Sequence, residues 1–204
     1  MNEMRSRRDE YSDASRRAIL DSARARFTSE GYVATSLDAV AADARMTKGA
    51  VYHHFASKQA VFEAVLDELE RETVAAVAVA SGQKPTAWES ALAGLDMFLE
   101  RCLDPSYQRL CFQEGPIALG HACWYQRGEE HEVGLLKAMG AGLKAEGLND
   151  VDDLETLTQL LFGAMCACAL AIARSDDPLD TRDRMRAVLV RMVLGLRPPK
   201  RGRS

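Results

Sequence analysis

Apolar residues recur through almost the whole chain at intervals of three and four, and no segment alternates apolar and polar residues convincingly. The first such stretch, from about Ser15 to Ser29, places Ile19, Ala23 and Phe27 on one face. A period near 3.6 residues is that of an amphipathic helix. The chain is therefore predicted to be all-α.

The breaks in this periodicity predict how the chain is organised. The clearest break runs from Ser81 to Pro85, and a long helix that begins near Ser57 is expected to run across it. We predict four segments: a flexible arm at 1–14, a three-helix head at 15–60, a helical body at 61–196 and a basic tail at 197–204. Helices of the body are expected near 86–103, 106–114, 121–146, 151–174 and 180–195, separated at Pro105, Gly115-Pro116, Gly147 and Asp177-Pro178.

Composition narrows the class of protein. Apolar residues make up 47% of the 204 residues, which is enough for a core and argues against disorder. We find no run of about 18 apolar residues that is free of charge. The start of the chain is charged without an apolar stretch behind it, unlike a secretory signal. A cytoplasmic protein is expected.

The net charge of −4 is unevenly distributed. Residues 1–60 carry ten Lys and Arg against eight Asp and Glu, whereas the remainder carries sixteen against twenty-two. A mildly basic head on an acidic body suits a protein that touches phosphate at one end only.

Catalytic, metal and redox chemistry have little support in the sequence. No serine, cysteine or histidine spacing indicates catalysis, and no cofactor motif is evident. His121, Cys123, His131 and Glu132 repeat no ligand spacing, so we predict no metal site, and the acidic run at 129–132 is interpreted as a solvated face. Most cysteines are interpreted as core residues, and Cys166 and Cys168 would point apart on a helix. The five cysteines are Cys102, Cys111, Cys123, Cys166 and Cys168.

Two short helices in tandem are predicted in the head, each behind a hydroxyl residue. Thr35 and Asp38 have the spacing of a reciprocal cap, with Asp in place of the usual Glu. Thr47 can cap a second helix over 48–54, and Ser57 can cap the long helix that follows. In a helix-turn-helix of this kind, the first helix braces a second one that lies in the DNA major groove.

The second short helix sorts its side chains into two faces. Met46, Val51 and Phe55 can face the core, and His54 is assigned to packing or to a hydrogen bond inside the head. Because glycine weakens a helix by roughly 1 kcal/mol relative to alanine, Gly49 indicates close approach to another surface, here the phosphate backbone. Lys48, Tyr52 and Lys58 are predicted phosphate contacts. The candidate anion sites are the helix starts near Thr35, Ser36, Thr47 and Ser57.

These residues carry a family resemblance. Residues 15–70 resemble the TetR family of bacterial transcription regulators in Phe27, Gly31-Tyr32 and Thr35-Ser36, and in the string TKGAVYHHF from Thr47 to Phe55 followed by Ser57-Lys58. The chain departs from the family at Arg45, where members often have Gly before the recognition helix. If that position has a left-handed backbone, Arg45 bears a strain on the order of 1 kcal/mol.

The resemblance implies a homodimer with DNA-binding heads and regulatory bodies, in which a small molecule bound in the body releases the operator. The family's DNA-facing positions correspond here to Thr35, Ser36, Thr47, Lys48, Gly49, Tyr52, His53 and Lys58. The last two helices are expected to form the dimer surface, with Phe162, Met165, Met185, Leu189 and Met192 as candidates.

A ligand pocket is expected among bulky or soft residues of the central helices. The candidates are Phe98, Cys102, Phe112, His121, Trp124, Tyr125, Met139 and Met165, with His121 as a polar anchor. Their apolar character favours a hydrophobic ligand. Three alternatives stay open: a regulator of this fold that is an activator or needs no ligand, a helical enzyme with a vestigial head, and a scaffold protein.

Overall fold

The computed structural model describes residues 7–82 and 84–197, and these contain helices and no strand. The all-α prediction is confirmed. The elements are α1 (Arg7–Glu30), α2 (Leu37–Asp43), α3 (Lys48–His54), α4 (Lys58–Gly82), α5 (Ala87–Arg101), α6 (Pro105–Tyr107), a π-helical segment (Gln108–Glu114), α7 (Gly115–Leu119), α8 (His121–Ala145), α9 (Leu154–Ala173) and α10 (Pro178–Leu194).

Helix α1 begins earlier than the periodicity predicts. Residues 7–14 were expected to belong to a flexible arm, but they form the first two turns of α1. The apolar stripe starts only at Ile19, so these turns carry no core-facing signal in the sequence. Residues 1–6 of the predicted arm and 198–204 of the predicted tail lie outside the described residues.

The head consists of α1, α2, α3 and the start of α4 around an aromatic core. Phe27 and Phe62 are fully buried with their ring centroids 5.0 Å apart, and the ring of Tyr32 lies 5.1 Å from that of Phe62. The predicted core residues Val51 and Phe55 are buried, and Met46 packs against the same cluster. Packing by a stripe on each short helix therefore fixes which side of α3 faces outward.

The caps of the two short helices differ in one respect from the prediction. Ser36, and not Thr35, caps α2, since its side chain accepts a hydrogen bond from the Ala39 amide at 3.2 Å. Thr47 caps α3 and Ser57 accepts from the Ala60 amide at the start of α4, as predicted. The prediction of a reciprocal Thr35–Asp38 cap is wrong.

Two residues with positive φ shape the connections of the head. Gly31 ends α1 at φ +86°, the left-handed conformation that glycine adopts without cost. Arg45 has φ +56° in the turn between α2 and α3. The expectation that Arg45 bears a backbone strain on the order of 1 kcal/mol is therefore supported by its conformation.

The body departs from the predicted pattern at Gly115-Pro116. The backbone does not break there: α6, the π-helical segment and α7 follow one another without interruption. In a π-helix the carbonyl of Cys111 would accept from residue 116, but proline has no N–H. The indole Nε1 of Trp124 donates to this carbonyl instead, at 2.6 Å. The wide turn thus accommodates proline, and Trp124 satisfies the group that proline leaves free.

Helix α9 carries more apolar surface than the protomer covers. Its 20 residues are long and apolar enough to cross a membrane by length and composition alone, with a mean hydropathy of 1.8. It packs against α8 and α10, which accounts for part of its apolar surface. About one third of its most apolar stretch is buried (33%), and Leu160 on this helix is 68% exposed.

Candidate DNA interface and interior cavity

The outer face of α3 holds four of the eight predicted DNA-facing positions. Lys48, Gly49, Tyr52 and His53 are exposed there, and 48% of the Tyr52 surface is uncovered. The exposed N-caps Ser36 and Thr47 lie at the starts of α2 and α3. This arrangement presents polar groups of a short helix on one accessible face, as insertion into a groove requires.

Lys48 forms an exposed ion pair that leaves its ammonium group accessible to other partners. Its Nζ lies 2.9 Å from Asp38 Oδ1, and both side chains are more than half exposed. The hydrogen bond from Lys48 to Asp38 raises the pKa of Lys48. Because an exposed ion pair contributes little to stability, the lysine can exchange this carboxylate for a phosphate.

The side chains of Thr35 and Lys58 both donate hydrogen bonds to backbone carbonyls within the head. Thr35 is 2% exposed and donates from Oγ1 to the Gly31 carbonyl at 2.8 Å. Lys58 Nζ donates to the carbonyl oxygens of Tyr32, Val33 and Thr35 at 2.8, 3.2 and 3.0 Å. An ammonium group has three N–H donors, so in this unbound form Lys58 clips the α1–α2 loop to α4.

Gly49 has open space around it. A Cβ atom built there would meet only Thr47 Oγ1, at 3.9 Å, which is ordinary contact. Packing within the described part of the chain therefore does not require glycine at position 49, and close approach of DNA remains a prediction.

We expect Gly49→Ala to raise the stability of the head by about 0.5–1 kcal/mol while it weakens DNA binding. The methyl group gains helix propensity but obstructs a close-lying phosphate backbone. Thermal melts and fluorescence anisotropy with operator DNA measure the two effects. Gly134→Ala is the matched control, since Gly134 also lies in a helix with open space around it. If Gly49→Ala raises the stability of the head without lowering its affinity for DNA, then Gly49 does not lie close to the phosphate backbone.

His54 behaves as predicted for an interior residue. It is half-buried, and burial lowers the pKa of its imidazole, with His53 and Arg16 adding to the effect. Its ring lies 5.4 Å from that of His53.

A direct contact joins the head to the π-helical segment. Glu114 accepts a hydrogen bond from the Tyr32 amide at 2.9 Å, and a side chain at Gly31 would approach Glu114 Oε1 to 2.7 Å. Thr28 and Ser106 hydroxyls also meet, at 3.0 Å. The positive φ of Gly31 favours glycine there, and Glu114 of the body holds the same loop that Lys58 contacts.

The body contains a partly open apolar cavity of about 110 Å³ between α4, α5, α8, α9 and α10. Three of the predicted ligand residues, Phe98, Met139 and Met165, line it. A second, smaller cavity is lined by three more, Phe112, Trp124 and Tyr125. Cys102 and His121 line neither: Cys102 is fully buried and His121 is exposed, its ring 6.3 Å from that of Tyr125.

Glu132 is the functional candidate that sequence reasoning missed. It lines both cavities, so its interpretation as part of a solvated face is wrong. Burial raises the pKa of its carboxyl to about 8, and Glu70 adds to the rise. The signal was present, because residue 132 lies one turn before Leu135 and Leu136 and shares their apolar face.

The residue before it, His131, is half-buried beside two carboxylates. Its Nε2 lies 3.2 Å from Glu70 Oε2 and 3.3 Å from Asp67 Oδ1, and Arg127 donates to the same Asp67 oxygen. Burial raises the pKa of Glu70. Asp67, Glu70 and His131 have the ligand types and proximity of a cation site, but Arg127 already donates to Asp67, and His131 lies within 3.3 Å of both carboxylates. The four groups link α4 to α8.

The cysteines differ in exposure. Cys102, Cys111 and Cys168 are buried as expected, whereas Cys123 is exposed. Burial raises the pKa of Cys166 to about 12 and also raises that of Cys168. Both thiols are therefore poor nucleophiles.

The predicted dimer residues divide between two environments. Phe162 and Leu189 are 1% and 5% exposed, so they pack within the protomer, and Met165 lines the cavity. Met185 packs against the core, and Met192 is 54% exposed. Two other apolar residues on α9 and α10 are also exposed, Leu160 at 68% and Val188 at 55%.

Known families cover both parts of the chain. Residues 19–65 match the family described as bacterial regulatory proteins, tetR family. Residues 88–196 match the tetracyclin repressor-like C-terminal domain, over more than half of the chain.

Individual relatives show the same likeness. The Transposon Tn10 TetC protein of Escherichia coli is 23% identical over 88% of this chain and 91% of its own length. The A-factor receptor protein of Streptomyces griseus is 42% identical over 26% of this chain and 19% of its own. A solved TetR-family transcriptional regulator from Pectobacterium atrosepticum superposes with a TM-score of 0.83 at 27% identity, over 97% of this chain and 100% of that one. With both halves matched, this chain belongs to the TetR family of bacterial transcriptional regulators.

Proposed function

We propose that the protein is a cytoplasmic, ligand-controlled repressor that binds a near-palindromic operator as a homodimer. The exposed polar face of α3, backed by the buried Val51 and Phe55, is the observation that carries this proposal. Selection from random duplexes tests it, with half-sites expected about 34–36 Å apart or at a multiple of that spacing. Recovery of no preferred sequence would favour a scaffold protein.

Lys48→Ala is expected to weaken binding to all duplexes alike and to lower the slope of log K against log salt by about 0.9 for each lysine removed. The reason is the loss of one phosphate contact, which carries no sequence information. A mobility-shift titration against salt measures the slope. Lys137→Ala serves as the control, since Lys137 is equally exposed and paired with Glu155. An unchanged slope for Lys48→Ala would remove Lys48 from the interface.

Helix α4 is proposed to carry the signal from cavity to head. Val74 and Val77 line the cavity, whereas Lys58 at the other end of the same helix holds the α1–α2 loop. The distance from residue 58 to residue 74 is about 24 Å at 1.5 Å per residue. A ligand that displaces α4 at the cavity would move Lys58 against the loop that Glu114 grips, and would thereby reorient α3.

Dimerisation is proposed to use the outward face of α9 and α10. Leu160, Val188 and Met192 leave apolar surface uncovered there, with Val188 and Met192 one turn apart. In a four-helix arrangement with a second copy these side chains would be buried.

Val188→Glu is therefore expected to convert the dimer to monomer, because it would bury unpaired charges at the contact. Sedimentation velocity measures the mass. Val79→Glu, at an exposed valine on α4, is the control and should stay dimeric. A Val188→Glu protein that remains fully dimeric would place the interface elsewhere.

A regulator that needs no ligand, or an activator, is the second candidate. The apolar cavity favours ligand control, because apolar cavities of this kind hold small molecules. A ligand that binds the native state raises the melting temperature of the protein. A thermal-shift screen of hydrophobic compounds separates the two. No shift across a broad library would favour the ligand-free regulator, and reporter assays with the selected operator distinguish repression from activation.

A further inference from the structure

Glu132 is the one ionisable side chain among the described residues that line the main cavity. The remaining lining is largely apolar, including Phe98, Leu135 and Met139. A carboxylate is costly in such surroundings unless a counter-charge accompanies it. The site therefore combines an apolar enclosure with a single acid.

No described residue supplies that counter-charge. The basic side chains beside Glu132 on α8 contact other groups: Arg127 donates to Asp67, and His131 lies between Asp67 and Glu70. Besides burial, the cause that raises the pKa of Glu132 among the described residues is the carboxyl of Glu70, which adds negative potential. The missing partner of Glu132 is thus cationic or hydrogen-bond donating.

Asn149, in the connection between α8 and α9, contributes an independent polar group to the same cavity. Its side chain is 3% exposed, and its Oδ1 accepts from the Val151 amide at 2.8 Å. That contact fixes the orientation of the amide. Nδ2 is buried and has no partner within the described residues. A buried donor without an acceptor costs free energy that an occupant of the cavity could recover.

We propose that the effector is a lipophilic amine that also carries a carbonyl or ether oxygen, with its ammonium group against Glu132 and its oxygen against Asn149. This inference rests on the proposed ligand control. A charge-assisted hydrogen bond to Glu132 is stronger than one between neutral groups, and the apolar walls hold the hydrocarbon body. The rival arrangement is a neutral ligand that accepts a hydrogen bond from the carboxyl O–H of Glu132.

The charge requirement is tested with phenylbutylamine, phenylbutanol and phenylbutyrate on the full-length protein by calorimetry and thermal shift. The amine is expected to bind about tenfold or more tightly than the alcohol, and the carboxylate least tightly. In Glu132→Gln this preference should fall to near unity, while the exposed Glu130→Gln control on the same helix keeps it. Equal binding of amine and alcohol, or binding by neither, overturns the proposal.

The acceptor requirement is tested with dimethylaminobutyrophenone against dimethylphenylbutylamine, which lacks the ketone. The aminoketone is expected to bind several-fold more tightly to the wild type, and this advantage should disappear in Asn149→Leu. Asn149→Asp keeps the oxygen that accepts from Val151 and removes the donor, so it should also lose the advantage even if Asn149→Leu folds poorly. A ketone advantage that persists in both variants overturns the role of Asn149.

These measurements need no DNA, so they are separate from the test of the proposed function. If the amines bind but do not release selected operator DNA in an anisotropy assay, the ligand site stands and ligand-controlled repression is contradicted. If operator binding is found and no amine binds, the regulator stands and the ligand class is wrong.

Discussion

Glu132→Gln is expected to stabilise the protein by several kcal/mol, on the order of 3–4, at pH 8, and by about 1 kcal/mol or less at pH 5. In the native state the pKa of Glu132 is raised to about 8 by burial and by Glu70. At pH values between the ordinary pKa of a glutamate carboxyl and this raised pKa, Glu132 keeps its proton in the folded protein but has lost it in the unfolded chain. Stability from this proton is fully present below the unfolded pKa and is lost as pH rises through the folded pKa.

Denaturant unfolding across this pH range measures the effect. The amide that replaces the carboxyl in Glu132→Gln cannot titrate, so the wild-type decline in stability toward pH 8 should flatten, with the remaining slope set by other groups such as Glu70. Glu130→Gln changes the same residue type at an exposed position and should leave the slope as it is. Parallel pH profiles for wild type and Glu132→Gln would show that the carboxyl is solvated.

Lys58→Met is expected to lower the stability of the head by about 2–3 kcal/mol, because three carbonyl groups lose the ammonium that joins them. The change keeps the aliphatic stem and removes only the donors. Differential scanning calorimetry measures the loss. Lys48→Ala, which removes an exposed ion pair, should leave the melting temperature nearly unchanged.

For DNA binding we expect the reverse of the stability result: Lys48→Ala should have the larger effect and Lys58→Met the smaller one. At a temperature where the head stays folded, Lys58→Met should keep the wild-type salt slope, whereas Lys48→Ala should lower it. A Lys58→Met protein with an unchanged melting temperature and a reduced slope would restore Lys58 to the phosphate contacts that the sequence predicts.

The residues around α3 show what local sequence can predict. The hydroxyl caps Thr47 and Ser57, the stripe of Val51 and Phe55, and the left-handed end of α1 at Gly31 all follow from interactions within a few residues of the chain. Such interactions depend on backbone hydrogen bonding and side-chain period, which a sequence displays directly. The motif that makes the head resemble the TetR family consists of these same local residues.

The sequence by itself therefore determined the all-helical class, the helix-turn-helix and the outward face of α3, because each depends on neighbours along the chain. Only the tertiary structure decided that Lys58 clips a loop, that Phe162 packs within the protomer, and that Glu132 lies at a cavity. Those environments are created by helices distant in sequence. A charged or apolar residue looks the same along the chain whether water, a partner or a ligand faces it.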